Sequence, residues 1–329
     1  MLIILRHPDG LVHIEQSRNT DKNIISVELH NKRLFMPIST FETTYPWELI
    51  KSILQSKGPA CLCDEIMKDE DPCCVQHQLQ YTLLSYVSEK DFENRRILDF
   101  GCGAGASSIV LSRMLPNTEI VGIELDEKLL YTARLRAEHY QAHNIRFIPS
   151  PDGNSIPDKL GKFDYIILSA VYEHLLPHER KNLLPKLWAH LNSGGVMFIN
   201  QTPNRLFPIE LHTTHLPLIN YLPDKLALLF ARMFSKRVIF GDGWETLLRK
   251  GIRGGTVSEI TDFLYGDQKL LLLEPAMVGV HDSIDIWYRL TNTKRLTTSR
   301  KLLKFGMKFF KFVTGIQLTP CLSLALKKL

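Results

Sequence analysis

The segment Asp99-Phe100-Gly101-Cys102-Gly103-Ala104-Gly105-Ala106 sets three glycines at alternating positions, after the apolar run ILDF and ahead of the helical pattern SSIVLSRML. A strand-to-helix turn that sheds its side chains lets a ligand approach the main chain, and glycine also permits the tight turn. Asp99 stands two positions before the first glycine, where it can pair with a cationic ligand group. Glu124 ends the next apolar run about twenty residues on, where a ribose-binding acid is expected. Gly101, Gly103 and Ala106 also satisfy the dinucleotide pattern G-x-G-x-x-A, so this loop alone does not name its ligand. Further titratable groups follow. Glu173 and His174 come after the apolar run FDYIILS, and histidine suits proton transfer because its ordinary pKa lies near neutrality. Glu210, His212 and His215 spell Glu-x-His-x-x-His, a metal-ligating set with no sustained helix to present it, so no metal is assigned. Six cysteines, spread thinly, read as reduced thiols, and Cys61 to Cys74 lacks the paired C-x-x-C spacing of a zinc site.

Five apolar runs must carry these groups: RRILDF, EIVGIEL, IRFIPS, FDYIILS and GVMFIN. Most are separated by stretches long enough for a helix, which predicts a parallel sheet covered on both faces. With two final strands, LLLLEP and SIDIWYRL, the expected fold class is α/β, with a Rossmann-like, mainly parallel seven-stranded sheet. Ahead of it, LIILRH, LVHIEQ, NIISVEL and RLFMPI, separated by turn signals, predict an accessory meander of short strands. A helix is expected from Pro46 to Gly58, an acidic turn over Asp64 to Pro72, and helical spacing over Cys74 to Glu89. The expected divisions are a β-rich region over 1–60, a helical lead-in over 61–93, a catalytic domain over 94–290 and a basic tail over 291–329. Within the domain, 203–255 is expected to be a substrate lid with one helix, Asp224 to Phe234, followed by a capped helix near Thr256 to Tyr265.

The stretch from Arg95 to Asn204 resembles the class I S-adenosylmethionine-dependent methyltransferases. ILDFGCGAGASS is similar to their first motif, IVGIEL to the acidic second strand, KFDYIILSAVYEHL to the fourth strand and LNSGGVMFINQTPN to the fifth. The resemblance implies S-adenosyl-L-methionine as cofactor. By the same likeness Asp99 would contact its methionine part, Gly101, Cys102, Gly103 and Gly105 would pack along it, Glu124 would accept both ribose hydroxyls and Leu125 would lie on the adenine. Asp152, about one place off the usual spacing, would receive the adenine amino group, and Ser169 would line the cofactor. Glu173 and His174 would then face the methyl group, with His212 and His215 as acceptor contacts and candidate bases.

The chain has 329 residues, 44% hydrophobic and 23% charged, which excludes a disordered, collagen-like or disulfide-framework protein. From Ile286 onward there are ten Lys or Arg and no Asp or Glu, so the preceding part carries thirty basic against thirty-five acidic residues. A generally basic nucleic-acid surface is thus not indicated. In the tail, Lys301, Lys304, Lys308 and Lys311 fall on one side of a helical wheel, with Leu302, Phe305, Phe309, Phe312 and Val313 on another. That apolar side is expected first to pack on the protein's own accessory layer, second to lie on an anionic membrane, with nucleic acid third. Arg249, Lys250 and Arg253 are candidates for holding an anionic substrate group. No run is long enough to span a bilayer and no signal peptide is recognised, so the expected location is cytoplasmic, with peripheral membrane contact through the tail. The expected activity is methyl transfer to a small-molecule or lipid- or sugar-linked acceptor. RNA methylation through the basic tail and a non-catalytic cofactor-binding scaffold are the alternatives.

Overall fold

The computed structural model describes residues 2–17, 20–31, 34–153, 155–157, 159–238, 241–264, 269–291 and 298–329. The chain forms two compact units, Met1–Leu79 with Gly101–Pro149, and Gln80–Phe100 with Ser150–Leu329.

In the first unit, β1 (Leu2–His7), β2 (Gly10–Gln16), β3 (Asn23–Leu29) and β4 (Thr40–Thr43) pair antiparallel in chain order. Period-two alternation turns Val12, Ile14, Ile25 and Val27 inward against Leu49, Ile50 and Ile53 of α1 (Trp47–Lys57) and Leu62 and Ile66 of α2 (Pro59–Glu70). The accessory meander and the helix after Pro46 are as expected. Two local expectations are corrected. The fourth strand is Thr40–Thr43 rather than RLFMPI, and the acidic stretch from Asp64 is mostly α2, because Glu65 and Asp69, four apart, share its buried face.

After α3 (Val75–Thr82) come β5 (Arg96–Phe100), α4 (Ala106–Met114), β6 (Glu119–Glu124), α5 (Glu127–His139), β7 (Ile145–Pro149), β8 (Phe163–Ser169), α6 (Pro177–His190) and β9 (Leu191–Pro203). Next are α7 (Asp224–Phe234), α8 (Trp244–Arg249), α9 (Val257–Leu264), β10 (Leu270–Leu272), α10 (Ser283–Thr291), α11 (Thr298–Thr314) and β11 (Cys321–Lys328). The seven-stranded sheet has the order β10-β11-β9-β8-β5-β6-β7. Parallel registers link β5 to β8, β8 to β9 and β6 to β7, while β11 runs antiparallel to both β9 and β10. The fold class is therefore the one expected, although one of its strands is not. SIDIWYRL is helix α10, whose first turn is held by Asp282 Oδ1 accepting the Asp285 N–H at 2.9 Å. The remaining strand is Cys321–Lys328, drawn from the segment expected to be tail.

The segment expected to be a lid has its own small core, in which Ile219, Ala227, Ala231, Leu247 and Ile252 are buried and Trp244 packs against them. Helix α11 turns three of its four lysines inward. Lys304 and Lys308 reach Asp285 at 2.8 and 2.9 Å, Lys311 reaches Asp282 at 3.4 Å, and Lys304 also lies over the Tyr288 ring. Its phenylalanine side faces solvent instead of packing, with Phe305 71% and Phe312 86% exposed. Among the described residues no helix is long and apolar enough to cross a membrane.

Candidate active site

In the first unit the glycine loop and Glu124 come together. The Gly101 and Cys102 amides both donate to the Ile123 carbonyl, at 2.8 and 3.0 Å, so the end of β6 holds the start of the loop. The Gly103 amide donates to Glu124 Oε2 at 2.8 Å. Glu124 Oε1 accepts from the Leu125 and Asp126 amides at 2.7 and 3.0 Å, fixing the carboxylate beside the loop. The glycines serve different purposes. At Gly105, with φ +85°, an added Cβ would stand 2.7 Å from Ala133 Cβ, so absence of a side chain lets α5 close on the loop. At Gly103, with φ +57°, an added Cβ would meet nothing within 4 Å, so the loop presents bare main chain to open space. A cradle of this kind, with a carboxylate able to accept from two hydroxyl donors, fits a nucleoside cofactor. Leu125 is exposed directly after Glu124, Cys102 is buried, and Asp99 is buried at the end of β5.

The loop has a support that sequence reasoning missed. Arg136 of α5 is fully buried and donates to the Ala104 carbonyl at 3.1 Å, to the Glu65 carbonyl at 2.8 Å and to Glu65 Oε1 at 3.4 Å, with Asp69 Oδ1 at 3.8 Å. One guanidinium therefore ties the glycine loop to α2. A buried charge is tolerated only where it is paired and hydrogen-bonded in this way. The available signal was positional, since Leu130, Ala133 and Arg136 recur at three-residue spacing on the buried side of α5.

In the second unit a short 3₁₀ turn, Tyr172–His174, follows β8. Tyr172 is buried and donates to Glu259 Oε1 at 2.6 Å, and Arg180, stacked 4.5 Å over its ring, donates to the Glu173 and Gly254 carbonyls. The turn is thereby locked. Glu173 is fully buried, and its Oε2 accepts from Thr202 Oγ1 at 3.2 Å. Burial pushes its carboxyl above the usual carboxylate range. His174 Nδ1 lies 2.7 Å from the Arg249 carbonyl, Nε2 is 3.9 Å from Glu173 Oε1, and the His212 ring centre is 5.6 Å from its own. Desolvation, followed by the neighbouring His174, lowers the His212 pKa. A neutral imidazole beside a buried carboxylate can take up or relay a proton.

The other candidates are placed differently. Glu210 does not join a Glu-x-His-x-x-His cluster, because both its oxygens close the loop: Oε1 accepts the His212 and Thr213 amides at 2.7 and 2.8 Å, and Oε2 accepts the Thr214 amide and hydroxyl. His215, with φ 59°, lies outside the group formed by Glu173, His174 and His212. Arg249, Lys250 and Arg253 are not free to hold an anion. Arg249 forks onto Glu179 at 2.5 and 2.6 Å, Lys250 pairs with Asp242 at 2.8 Å, and Arg253 pairs with Asp224 at 2.8 Å while donating to three carbonyls. Asp152 Oδ2 accepts from Ser155 Oγ at 3.0 Å within a local turn, and Ser169 ends β8 opposite Asn200 of β9.

The sheet order and the glycine cradle define a class I methyltransferase-like fold. Residues 97–195 match the family model described as "Methyltransferase domain". Trans-aconitate 2-methyltransferase of Deinococcus radiodurans is 29% identical over 33% of this chain and 38% of its own length. Ubiquinone biosynthesis O-methyltransferase of Acinetobacter baylyi is 26% identical over 39% of this chain and 54% of its own. The chain thus spans about half or less of these curated relatives. Among solved structures, the plantazolicin methyltransferase BpumL in complex with SAH is similar over 85% of this chain and 94% of its own, at 15% identity and TM-score 0.43.

Proposed function

We propose that the chain is an S-adenosylmethionine-dependent methyltransferase acting on a small-molecule acceptor. The observation that carries this reading is the bare Gly103 main chain held by its amide to Glu124 Oε2 at 2.8 Å. When bound, S-adenosylmethionine supplies a methyl group on a sulfonium, an electrophile needing no further activation. Gly101, Gly103 and Gly105 would lie along the cofactor, Glu124 would accept from its ribose, and Leu125 would flank its base. Asp99, two residues upstream, would meet its methionine part, and Cys102, Asp152 and Ser169 are carried as lesser contacts. His174 or His212 would take the proton from a hydroxyl acceptor, with buried Glu173 stabilising the imidazolium formed. The similarity to trans-aconitate 2-methyltransferase and ubiquinone biosynthesis O-methyltransferase supports a small-molecule acceptor. Calorimetry with S-adenosylmethionine, S-adenosylhomocysteine and NAD tests the proposal. The first two are expected to bind, and binding of NAD alone would overturn it.

A specific observation favours peripheral contact with an anionic membrane as well. Helix α11 keeps Phe305, Phe309, Phe312 and Val313 in solvent, while Lys304, Lys308 and Lys311 are engaged by Asp282 and Asp285, so the contact rests chiefly on the apolar face. Insertion of such an apolar face at the headgroup boundary is the usual mode of an amphipathic helix. Cosedimentation with phosphatidylglycerol vesicles is expected for the full chain and not for the Phe305→Ser/Phe312→Ser variant. Equal sedimentation of both, or of neither, refutes the contact.

A further inference from the structure

We propose that Glu173, His174 and His212 form a binding site for one zinc-class divalent cation, on the acceptor side of the proposed reaction. Their ligand atoms, one carboxylate oxygen and two ring nitrogens, all lie within 4.8 Å of one another. A tetrahedral ion with bonds of about 2.0–2.1 Å needs ligand atoms about 3.3 Å apart, a closure that small rotations of two partly solvent-accessible rings supply. The donor set, two imidazoles and one carboxylate, leaves a fourth position for water or an acceptor oxygen, and its nitrogen content selects against magnesium and calcium. With the ion bound, the two imidazoles would serve as ligands instead of bases, and the ion would lower the pKa of an acceptor hydroxyl in their place.

Three features besides proximity point to an ion. Glu173 Oε1 is buried with no hydrogen-bond partner among the described residues, although an unsatisfied carboxylate oxygen is costly inside a protein. The Arg249 carbonyl can only accept, so His174 Nδ1 carries the proton, and in the neutral ring Nε2 turns a lone pair toward Oε1. Two electron-rich atoms thus face each other at 3.9 Å, too far apart for a hydrogen bond and suited to a shared positive centre. Finally, the surroundings hold the ligands as outer partners hold metal ligands: a backbone carbonyl fixes the His174 tautomer, and Thr202 holds Glu173 Oε2. Gly251 makes room for the group, since a Cβ there would stand 2.7 Å from His212 Cδ2 and 3.1 Å from Glu173 Cγ.

The test uses the full chain, free of any histidine tag and stripped with a chelator, titrated with Zn²⁺ by calorimetry and with Co²⁺ by visible absorption. One equivalent is expected to bind, Co²⁺ giving the intense bands of a four-coordinate site, with no competition from excess Mg²⁺. His174→Ala and His212→Ala are each expected to weaken binding by more than the roughly 10–100-fold that loss of an outer partner costs. His190→Ala, at the last residue of α6 and outside the three-residue group, should leave it unchanged, with circular dichroism confirming that every variant folds. Absence of binding, or binding that survives both ligand variants, overturns the proposal. The titration reads the cation directly, so a chain that binds S-adenosylhomocysteine but not zinc rejects this inference alone, and the reverse result rejects only the methyltransferase reading.

Discussion

Replacing Gly103 and Gly105 separately by alanine should divide the glycine loop into one position that serves the ligand and one that serves the fold. Both have positive φ, +57° and +85°, so either alanine incurs left-handed strain of about 1–2 kcal/mol. At Gly103 nothing further is added, because the new methyl points into open space and the amide that donates to Glu124 is retained. At Gly105 the methyl collides with Ala133 Cβ at 2.7 Å and Ala133 Cα at 2.9 Å, and Phe147 Cζ is 3.2 Å away. Overpacking of this kind costs about 1–3 kcal/mol more, giving roughly 2–5 kcal/mol in total. With an unfolding entropy of about 2.1 cal/mol/K per residue, these costs correspond to falls in Tm of roughly 1.5–3 °C for Gly103→Ala and 3–7 °C for Gly105→Ala, if the whole chain melts together. Differential scanning calorimetry measures the falls, and isothermal titration with S-adenosylhomocysteine measures the ligand. Gly103→Ala should be the milder change in stability yet lose at least tenfold in affinity. If it binds as tightly as the native chain, the open main chain is not the cradle. If Gly105→Ala melts no lower than Gly103→Ala, the packing argument is wrong.

Arg136→Ala should destabilise the chain by about 3–5 kcal/mol, because it leaves buried Asp69 without its cation, Glu65 with Lys68 alone and the Ala104 and Glu65 carbonyls without their donor, and denaturant titration would show the loss. Arg249→Ala should cost about 1–3 kcal/mol by the same measurement, since Glu179 is only 6% exposed and loses a two-point partner. Acid should loosen α10 from α11. Against the desolvation imposed by partial burial, hydrogen bonds from Lys304 and Lys308 hold Asp285 down to about 2 from its usual 3.8. A depressed carboxyl pKa contributes stability that is fully present above about 3.8 and lost as pH falls toward 2, so Trp287 fluorescence should change in that window in the native chain and not in Asp285→Asn.

Local sequence was sufficient where one physical signal dominated. The five parallel strands were legible because strands buried on both faces must be continuously apolar, and α7 was legible from Asp224 to Phe234 because its helical periodicity is uninterrupted. SIDIWYRL misled because its first residues alternate as a strand does, while Asp282, one residue ahead, was the helix cap that decided the matter. Cys321–Lys328 was hidden behind the amphipathic pattern of α11, although Leu322, Leu324 and Leu326 carry a two-residue period. The candidate site divides in the same way. The Gly101–Gly105 loop and Glu124 are read from spacing. The approach of His212 to Glu173 and His174 joins residues nearly forty apart through Gly251, and the engagement of Arg249, Lys250 and Arg253 by internal acids depends on packing that no local pattern encodes.

The position of β11 governs the order in which the sheet can be completed during synthesis. It lies between β9 and β10, and its last residue, Lys328, is anchored by the Trp188 and Leu191 carbonyls at 2.7 and 2.9 Å. Until residues 321–328 emerge from the ribosome, one edge of a thirteen-residue strand is left unzipped, an invitation to pair with a neighbouring nascent chain. A message truncated just before Cys321 would therefore yield aggregates rather than a weakened fold, and a chaperone that shields such an edge would have to stay bound until residues 321–328 have emerged.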